Sequence, residues 1–327
     1  MPETVPLSRP ILAGVVTALV GFTSSFAVVL TGLDAVGANA AQAASGLLAA
    51  SATMGLACVV LAWRYRMPIT VAWSTPGAAL LVATGTVEGG WSAAVGAFLI
   101  TAALILLTAL WPALGALIAR IPPSIAQAML AGVLLPLCLA PITGIVANPW
   151  GVVPVVLTWL VFARLAPRWA VPFAFVAAAV VVAVSLTGGS VGDAEPFDPA
   201  VLLPRLEFTA PTFTVGALVG LALPLFIVTM ASQNVISAAL AASPDADPDP
   251  KRRWVAGVST GVSYLVLGAF SAAFAALVAL APAAVIPAVA GLALFAAFGA
   301  SVQQAIDDPG ERVPAVVTFL VAASGIS

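Results

Sequence analysis

The spacing of the charged residues is the feature that most constrains this chain. Lys, Arg, Asp and Glu make up 7% of its 327 residues, and long stretches contain none of them. These charge-free stretches cover residues 10–33, 35–63, 67–87, 89–119, 121–163, 169–192, 208–244, 254–306 and 313–327. A membrane-spanning helix needs about 20 apolar residues. Two stretches are long enough for a pair of spans and the last for part of one, which predicts about eleven spans.

This pattern predicts the fold class. Hydrophobic residues make up 62% of the chain, against about 45–50% in soluble domains. Inside a bilayer only helices and closed barrels satisfy every backbone polar group, and at this apolarity we expect helices. None of the stretches has the polar face that a soluble helix bundle requires. We therefore predict an all-α polytopic membrane protein, with residues 1–327 forming a single integral membrane domain.

The basic residues predict the orientation in the membrane. With the N-terminus inside, ten of the eleven Lys and Arg residues fall in inside loops, and only Arg205 lies outside. This asymmetry follows the positive-inside rule and predicts a cytoplasmic N-terminus. The net charge is −2, which gives no basic field for phosphates and predicts no nucleic-acid partner.

The composition also excludes several kinds of chemistry. The chain has no His and two Cys, Cys58 and Cys138. These leave almost nothing to build a zinc, copper or haem site, so no cofactor is expected. The short loops leave no soluble catalytic domain. Without His or a membrane-buried carboxylate the serines have no base, so we predict that the chain is not an enzyme.

The stretch 67–87 contains a predicted break. Residues 68–71, Pro-Ile-Thr-Val, favour extended backbone. Thr75 then suits an N-cap and Pro76 the first helical position. This pattern is typical of a helix that starts in mid-membrane, where its free N–H groups attract an anion. An ordinary span with a proline kink is the alternative. Trp73 next to the break is either a packing residue or the aromatic wall of a site.

Two clusters of polar residues lie inside other stretches, at residues 23–25 and at Thr229 with residues 232–234. Ser and Thr in membrane helices often join neighbouring helices and do not by themselves indicate a site. Gln233 and Asn234 are more costly to bury, which favours a functional role for them.

The two halves of the chain show a short internal similarity. Residues 121–131 resemble residues 285–295, with Pro123, Ala126 and Leu130 matching Pro287, Ala290 and Leu294. Related halves are common in secondary transporters, where the site lies between them. We expect a first repeat of seven spans in residues 1–188 and an incomplete second repeat in residues 208–327.

Several strings together resemble the BenE family of benzoate:proton symporters. They are residues 9–14, 21–26, 67–79, 125–132, 224–234 and 247–254, of which Ala-Trp-Ser-Thr-Pro-Gly and Thr-Met-Ala-Ser-Gln-Asn are the most specific. The resemblance runs nearly end to end. It implies the seven-plus-seven inverted-repeat fold of nucleobase transporters and anion exchangers, with core and gate domains and two half-helices that meet at the substrate. Transporters of this fold often form homodimers.

By this resemblance the substrate site includes residues from three segments. Ser74, Thr75 and Gly77 belong to one half-helix, and Gln233 and Asn234 to the span that faces it. Trp73, Phe22 or Phe26 flank the aromatic ring, and Ser25 donates a hydrogen bond.

The chain departs from the family pattern after Asn234. A family member continues there through another span and the second half-helix, whereas here the sequence runs into residues 235–242, which look like the far end of that half-helix. The family's last span is also missing after Ser327. About eleven of about fourteen segments are therefore expected.

The function and location that the resemblance implies are proton-coupled uptake of benzoate or a similar aromatic carboxylate across the bacterial inner membrane. No carboxylate of the chain lies deep in a span, so we expect the proton to travel on the substrate, because burial favours a neutral carboxylic acid. The alternatives are the same fold carrying a nucleobase or another anion, and a deleted paralogue that does not transport.

Overall fold

The computed structural model describes residues 7–111, 113, 115–116, 120–187, 205–230 and 254–324. All regular secondary structure in these residues is helical. The helices are α1 (Ser8–Thr23), α2 (Phe26–Ala35), α3 (Ala40–Tyr65), α4 (Thr75–Thr84), α5 (Gly90–Leu110), α6 (Pro123–Ala147), α7 (Pro149–Leu165), α8 (Pro167–Thr187), α9 (Val215–Thr229), α10 (Trp254–Ala269), α11 (Ser271–Ala279), α12 (Val285–Ala305) and α13 (Arg312–Ala323).

The helix lengths agree with an all-α polytopic membrane protein. In the described part of the chain, six helical segments are long and apolar enough to cross a membrane, or seven if the bent pair α10–α11 is one span. The apolar helices α4, α7, α9 and α13 are shorter, at 10–17 residues. The eleven spans, the inverted repeat and the cytoplasmic N-terminus stay predictions.

The first span is interrupted at the polar cluster 23–25. The hydroxyls of Ser24 and Ser25 both donate to the carbonyl oxygen of Gly21, at 2.9 and 2.8 Å. Serine side chains that bond nearby carbonyls compete with the helical backbone and bend helices. Helix α1 therefore ends at Thr23, and α2 begins at Phe26.

The stretch 121–163 divides at Asn148, between α6 and α7. Pro141 and Pro154 lie within the two helices, as membrane helices tolerate when neighbours satisfy the freed backbone groups. The Asn148 side chain accepts a bond from the Gly151 N–H at 3.1 Å and donates to the Ala283 carbonyl at 3.3 Å. The side-chain amide of Asn148 therefore caps α7 at the break, which lies between Pro141 and Pro154.

Two sets of helices pack together. In the first set, α10 packs against α1 and α3. Helix α4 packs against α2 and α9, and α9 also packs against α5. The α3–α10 contact is close, since a Cβ built on Gly261 would lie 2.5 Å from the Gly55 carbonyl oxygen. In the second set α6 packs against α12 and α13, and α7 against α8. Helices α2 and α4 contact α12 and α6 at the boundary.

Helices α6 and α12 begin with the two similar sequence segments, and they run antiparallel. A Cβ on Gly144, near the end of α6, would lie 3.3 Å from the Cβ of Ala284, just before α12. Further along, Gly291 of α12 contacts the Leu137 carbonyl of α6. The matched pairs Ala126 with Ala290 and Leu130 with Leu294 are all buried. The two similar segments therefore lie at opposite ends of this helix pair, and the matched residues are buried in both.

Candidate functional site

The break in the stretch 67–87 is present as a half-helix. Residues 68–74 are not helical, and α4 contains only ten residues, Thr75–Thr84. The non-helical segment lies beside α3, where the Val71 N–H donates to Cys58 Sγ at 3.0 Å. Non-helical backbone at this depth requires protein around it, and α3 supplies part of that cover.

Ser74 caps the half-helix, so the prediction that Thr75 is the N-cap was wrong by one residue. Ser74 Oγ accepts the Gly77 N–H at 3.0 Å and the Thr229 hydroxyl at 3.2 Å. Thr75 becomes the first helical residue and Pro76 the second. Because Ser74 takes both bonds, its side chain ties α4 to α9 and leaves the Thr75 hydroxyl for other contacts.

A small polar cavity opens next to this helix start. Its volume is about 200 Å³, and its lining residues come from α1, the α1–α2 break, α3, the lead-in to α4 and α10: Gly21, Ser24, Ser25, Met54, Ala72, Trp73, Thr75 and Tyr264. An apolar cavity of about 150 Å³ is known to hold benzene. The space therefore suits a ligand with a single ring.

Ser25 positions an aromatic wall of this cavity. Its hydroxyl donates to the Gly21 carbonyl, and its oxygen accepts the Trp73 Nε1–H at 2.9 Å. Ser25, which we expected to donate to a ligand, has its proton engaged by the backbone. Its role in the structure is to fix the indole of Trp73.

Two hydroxyls in the cavity lining have no hydrogen-bond partner within the described residues, those of Thr75 and Tyr264. Sequence analysis did not identify Tyr264. Its position in the sequence could have indicated a functional role. Tyr264 is one of two tyrosines and lies in mid-span, away from the interfaces where membrane tyrosines concentrate. The cavity thus combines a helix N-terminus, an aromatic wall and two available hydroxyl donors.

Phe22 and Phe26 lie behind the cavity. Both are fully buried, and neither lines it. The Phe22 ring is 5.4 Å from the Trp73 ring and 5.2 Å from the Phe274 ring. The Phe26 ring meets Phe175 edge-on at 4.7 Å. The two phenylalanines therefore support Trp73 from the core.

Gln233 and Asn234 lie outside the described residues. The helix that precedes them, α9, does face the half-helix. Besides the Thr229–Ser74 bond, Leu225 comes within 2.8 Å of the position of a Cβ on Gly77. Gly77 itself is buried, so its role is the close approach of α9 to α4.

Two larger cavities lie elsewhere. One of about 350 Å³ between α4, α6, α9 and α13 has an almost entirely apolar lining that includes Leu80, Val133 and Val321. Another of about 890 Å³ lies near Asn148, Ser185 and Pro282. Neither adjoins the start of the half-helix, so the polar cavity is the candidate site.

The profile of the BenE family, described as benzoate membrane transport protein, matches residues 5–236 and 234–327. The chain belongs to the BenE family. It is 35% identical to inner membrane protein YdcO of Escherichia coli, over 97% of this chain and 90% of that protein. It is 26% identical to the benzoate membrane transport protein of Acinetobacter baylyi, over 96% of this chain and 89% of that protein. This BenE member is an integral membrane transporter.

The family match also bears on the departure predicted after Asn234. It divides into two parts that meet at residues 234–236. The alignment with the Escherichia coli protein spans 359 positions, more than the 327 residues of this chain. The relative therefore contains residues that have no counterpart here.

Proposed function

We propose that this transporter takes up benzoate or a similar single-ring carboxylate, coupled to protons, through the polar cavity beside α4. The observation that carries the proposal is the half-helix that begins at Thr75 on a cavity of about 200 Å³ with Trp73 in its wall. A helix N-terminus favours an anionic group, and the indole face favours an aromatic ring.

The polar end of such a ligand is expected to lie at Thr75. The first N–H groups of a helix have no partner within the helix, and Ser74 already takes the Gly77 N–H. Among the described residues, none bonds the Thr75 hydroxyl or the Thr75 N–H at the helix start. Together they provide neutral donors for a carboxylate without a basic side chain, which a membrane interior would make costly.

Proton coupling is proposed to follow from the ligand itself. A carboxylic acid has a pKa of about 4, and burial in an apolar environment favours the protonated form. Asp34 lies at the end of α2 and Glu88 between α4 and α5, both away from the cavity lining. A ligand that binds as the anion and takes up a proton during its passage carries that proton itself and needs no carboxylate relay in the protein.

Binding of radiolabelled benzoate to the purified protein in detergent tests the site. We expect saturable binding that weakens about tenfold in Thr75→Val, since hydrogen bonds to charged groups contribute about 1.5–3 kcal/mol. Thr143→Val is the matched control, because Thr143 is an exposed residue of α6. A protein that elutes as a single species and binds no benzoate would contradict the proposed substrate and favour a non-transporting paralogue.

Uptake into proteoliposomes tests the coupling. An inward proton gradient is expected to drive benzoate uptake, and a protonophore to abolish it. Vesicles without protein must be measured in parallel, because neutral benzoic acid crosses bilayers unaided. Excess uracil or an inorganic anion is expected to leave the protein-dependent uptake unchanged. Inhibition by uracil or by the anion would instead favour that cargo.

A further inference from the structure

Tyr264 is a buried residue whose hydroxyl bonds no other residue that the structure describes. The residue lies on α10, is 5% exposed and lines the polar cavity. Within the described part of the chain its hydroxyl has no hydrogen-bond partner. A hydroxyl that lines a cavity and has no protein partner is able to bond a ligand there. The neighbouring buried Thr260, for comparison, donates to the Gly14 and Ala256 carbonyls.

The packing around Gly21 directs this hydroxyl to the cavity. A Cβ on Gly21 would lie 3.0 Å from Tyr264 Oη, which is tighter than an ordinary contact. The glycine thus leaves the space in which the phenol oxygen sits. The Gly21 carbonyl already accepts the hydroxyls of Ser24 and Ser25, so it is not a free acceptor for Tyr264.

The other polar side chains of the cavity are engaged. The hydroxyls of Ser24 and Ser25 donate to the Gly21 carbonyl oxygen, and the Trp73 indole N–H donates to Ser25 Oγ. Thr75 and Tyr264 therefore provide the two free hydroxyl donors among the described lining residues. A benzoate anion presents two oxygens, both of which only accept hydrogen bonds. Two free donors match these two acceptors in a cavity small enough for one ligand to reach both.

We propose that the Tyr264 hydroxyl donates a hydrogen bond to the carboxylate of the bound ligand and, together with Thr75, gives the transporter its preference for a carboxylate over an uncharged aromatic compound. The inference rests on the proposed function, because it assumes that the cavity binds an aromatic carboxylate. It adds a residue that recognises the ionised group.

Tyr264→Phe tests the inference, because it removes one oxygen and keeps the ring. The probes are benzoate and its neutral amide analogue, benzamide, measured by calorimetry on purified protein in detergent. Loss of a bond to a charged group is expected to raise the Kd for benzoate roughly 10- to 150-fold. Benzamide makes only a neutral bond, about half as strong, so its Kd is expected to rise only a few-fold. Tyr65→Phe is the matched control, since Tyr65 is 58% exposed at the end of α3.

The chain has two tyrosines, which allows a second measurement without any substitution in the site. Incorporated fluorotyrosine gives two fluorine NMR signals, which Tyr65→Phe assigns. Benzoate is expected to shift the Tyr264 signal, benzamide to shift it less, and the Tyr65 signal to stay in place.

The outcomes separate the two proposals. If the wild-type protein binds no benzoate, the proposed function and this inference both fail. If the wild-type protein binds benzoate, and Tyr264→Phe weakens benzoate and benzamide equally or neither, the inference fails and the proposed function stands. An unmoved Tyr264 signal in benzoate-saturated protein overturns the inference in the same way.

Discussion

The indole Nε1 of Trp73 donates a 2.9 Å hydrogen bond to Ser25 Oγ. The bond joins two interruptions in different membrane segments, the non-helical lead-in to α4 and the break between α1 and α2. Each interruption exposes polar groups that a continuous helix would satisfy, and the cavity lies where they meet. The two interruptions therefore explain both where the candidate site lies and why it is polar.

Ser25→Ala is expected to destabilise the protein by about 1–3 kcal/mol, because it leaves the partly buried Trp73 N–H without its acceptor. Thermal unfolding in detergent measures the change. Ser24→Ala is the matched control, since Ser24 also donates to the Gly21 carbonyl but holds no indole. In a Trp73→Phe background the effect of Ser25→Ala is expected to shrink to that of the control. Additive effects in this double-mutant cycle would mean that the bond contributes nothing.

Gly21→Ala is expected to weaken benzoate binding more than it affects stability. The new methyl group would meet Tyr264 Oη at 3.0 Å and push the phenol out of position. Kd and thermal unfolding are measured on the same sample. Gly299→Ala is the control, because a Cβ there meets no other atom within 4 Å and alanine is the better helix former by about 1 kcal/mol. Unchanged benzoate affinity in Gly21→Ala would show that Tyr264 need not occupy its present position.

Ser271→Ala is expected to stabilise the protein by about 1 kcal/mol. The Ser271 hydroxyl at the 50° bend between α10 and α11 is fully buried and has no partner among the described residues. Removing it relieves the free-energy penalty of an unpaired polar group. Ser51→Ala is the matched control, since Ser51 is equally buried but donates to the Leu47 carbonyl at 2.7 Å. A lower melting temperature for Ser271→Ala than for Ser51→Ala would contradict this account.

Thr101→Val is expected to cost about 1 kcal/mol of stability. The buried Thr101 hydroxyl reaches from α5 to the Ala222 carbonyl at 3.1 Å. Ala222 ends a π-type turn, Leu218–Ala222, in α9, where the helical bonds are interrupted. Thr101→Ser keeps the hydroxyl and is expected to retain most of the melting temperature. A loss in Thr101→Ser as large as that in Thr101→Val would contradict this account, because Thr101→Ser keeps the hydroxyl.

The sequence by itself determined the class of this protein and the place of its main interruption. Charge spacing predicted membrane helices, because in lipid only helices and closed barrels satisfy the backbone and stretches this apolar favour helices. The β-branched run followed by Ser-Thr-Pro-Gly predicted a helix start inside the stretch 67–87, since these preferences are local. The short strings predicted the BenE family, which the family profile confirmed over residues 5–236 and 234–327.

Only the tertiary structure decided which polar groups are free. Sequence offered Ser25 and Phe26 as ligand contacts, but Ser25 gives its proton to Gly21 and Phe26 packs in the core. Its motifs did not include Tyr264, which lies 191 positions from Trp73 along the chain and yet lines the same cavity. Whether a hydroxyl is available depends on which neighbours take its bonds. Those neighbours come from α1, α3, α4 and α10, so their arrangement is fixed by helix packing and not by local sequence preference.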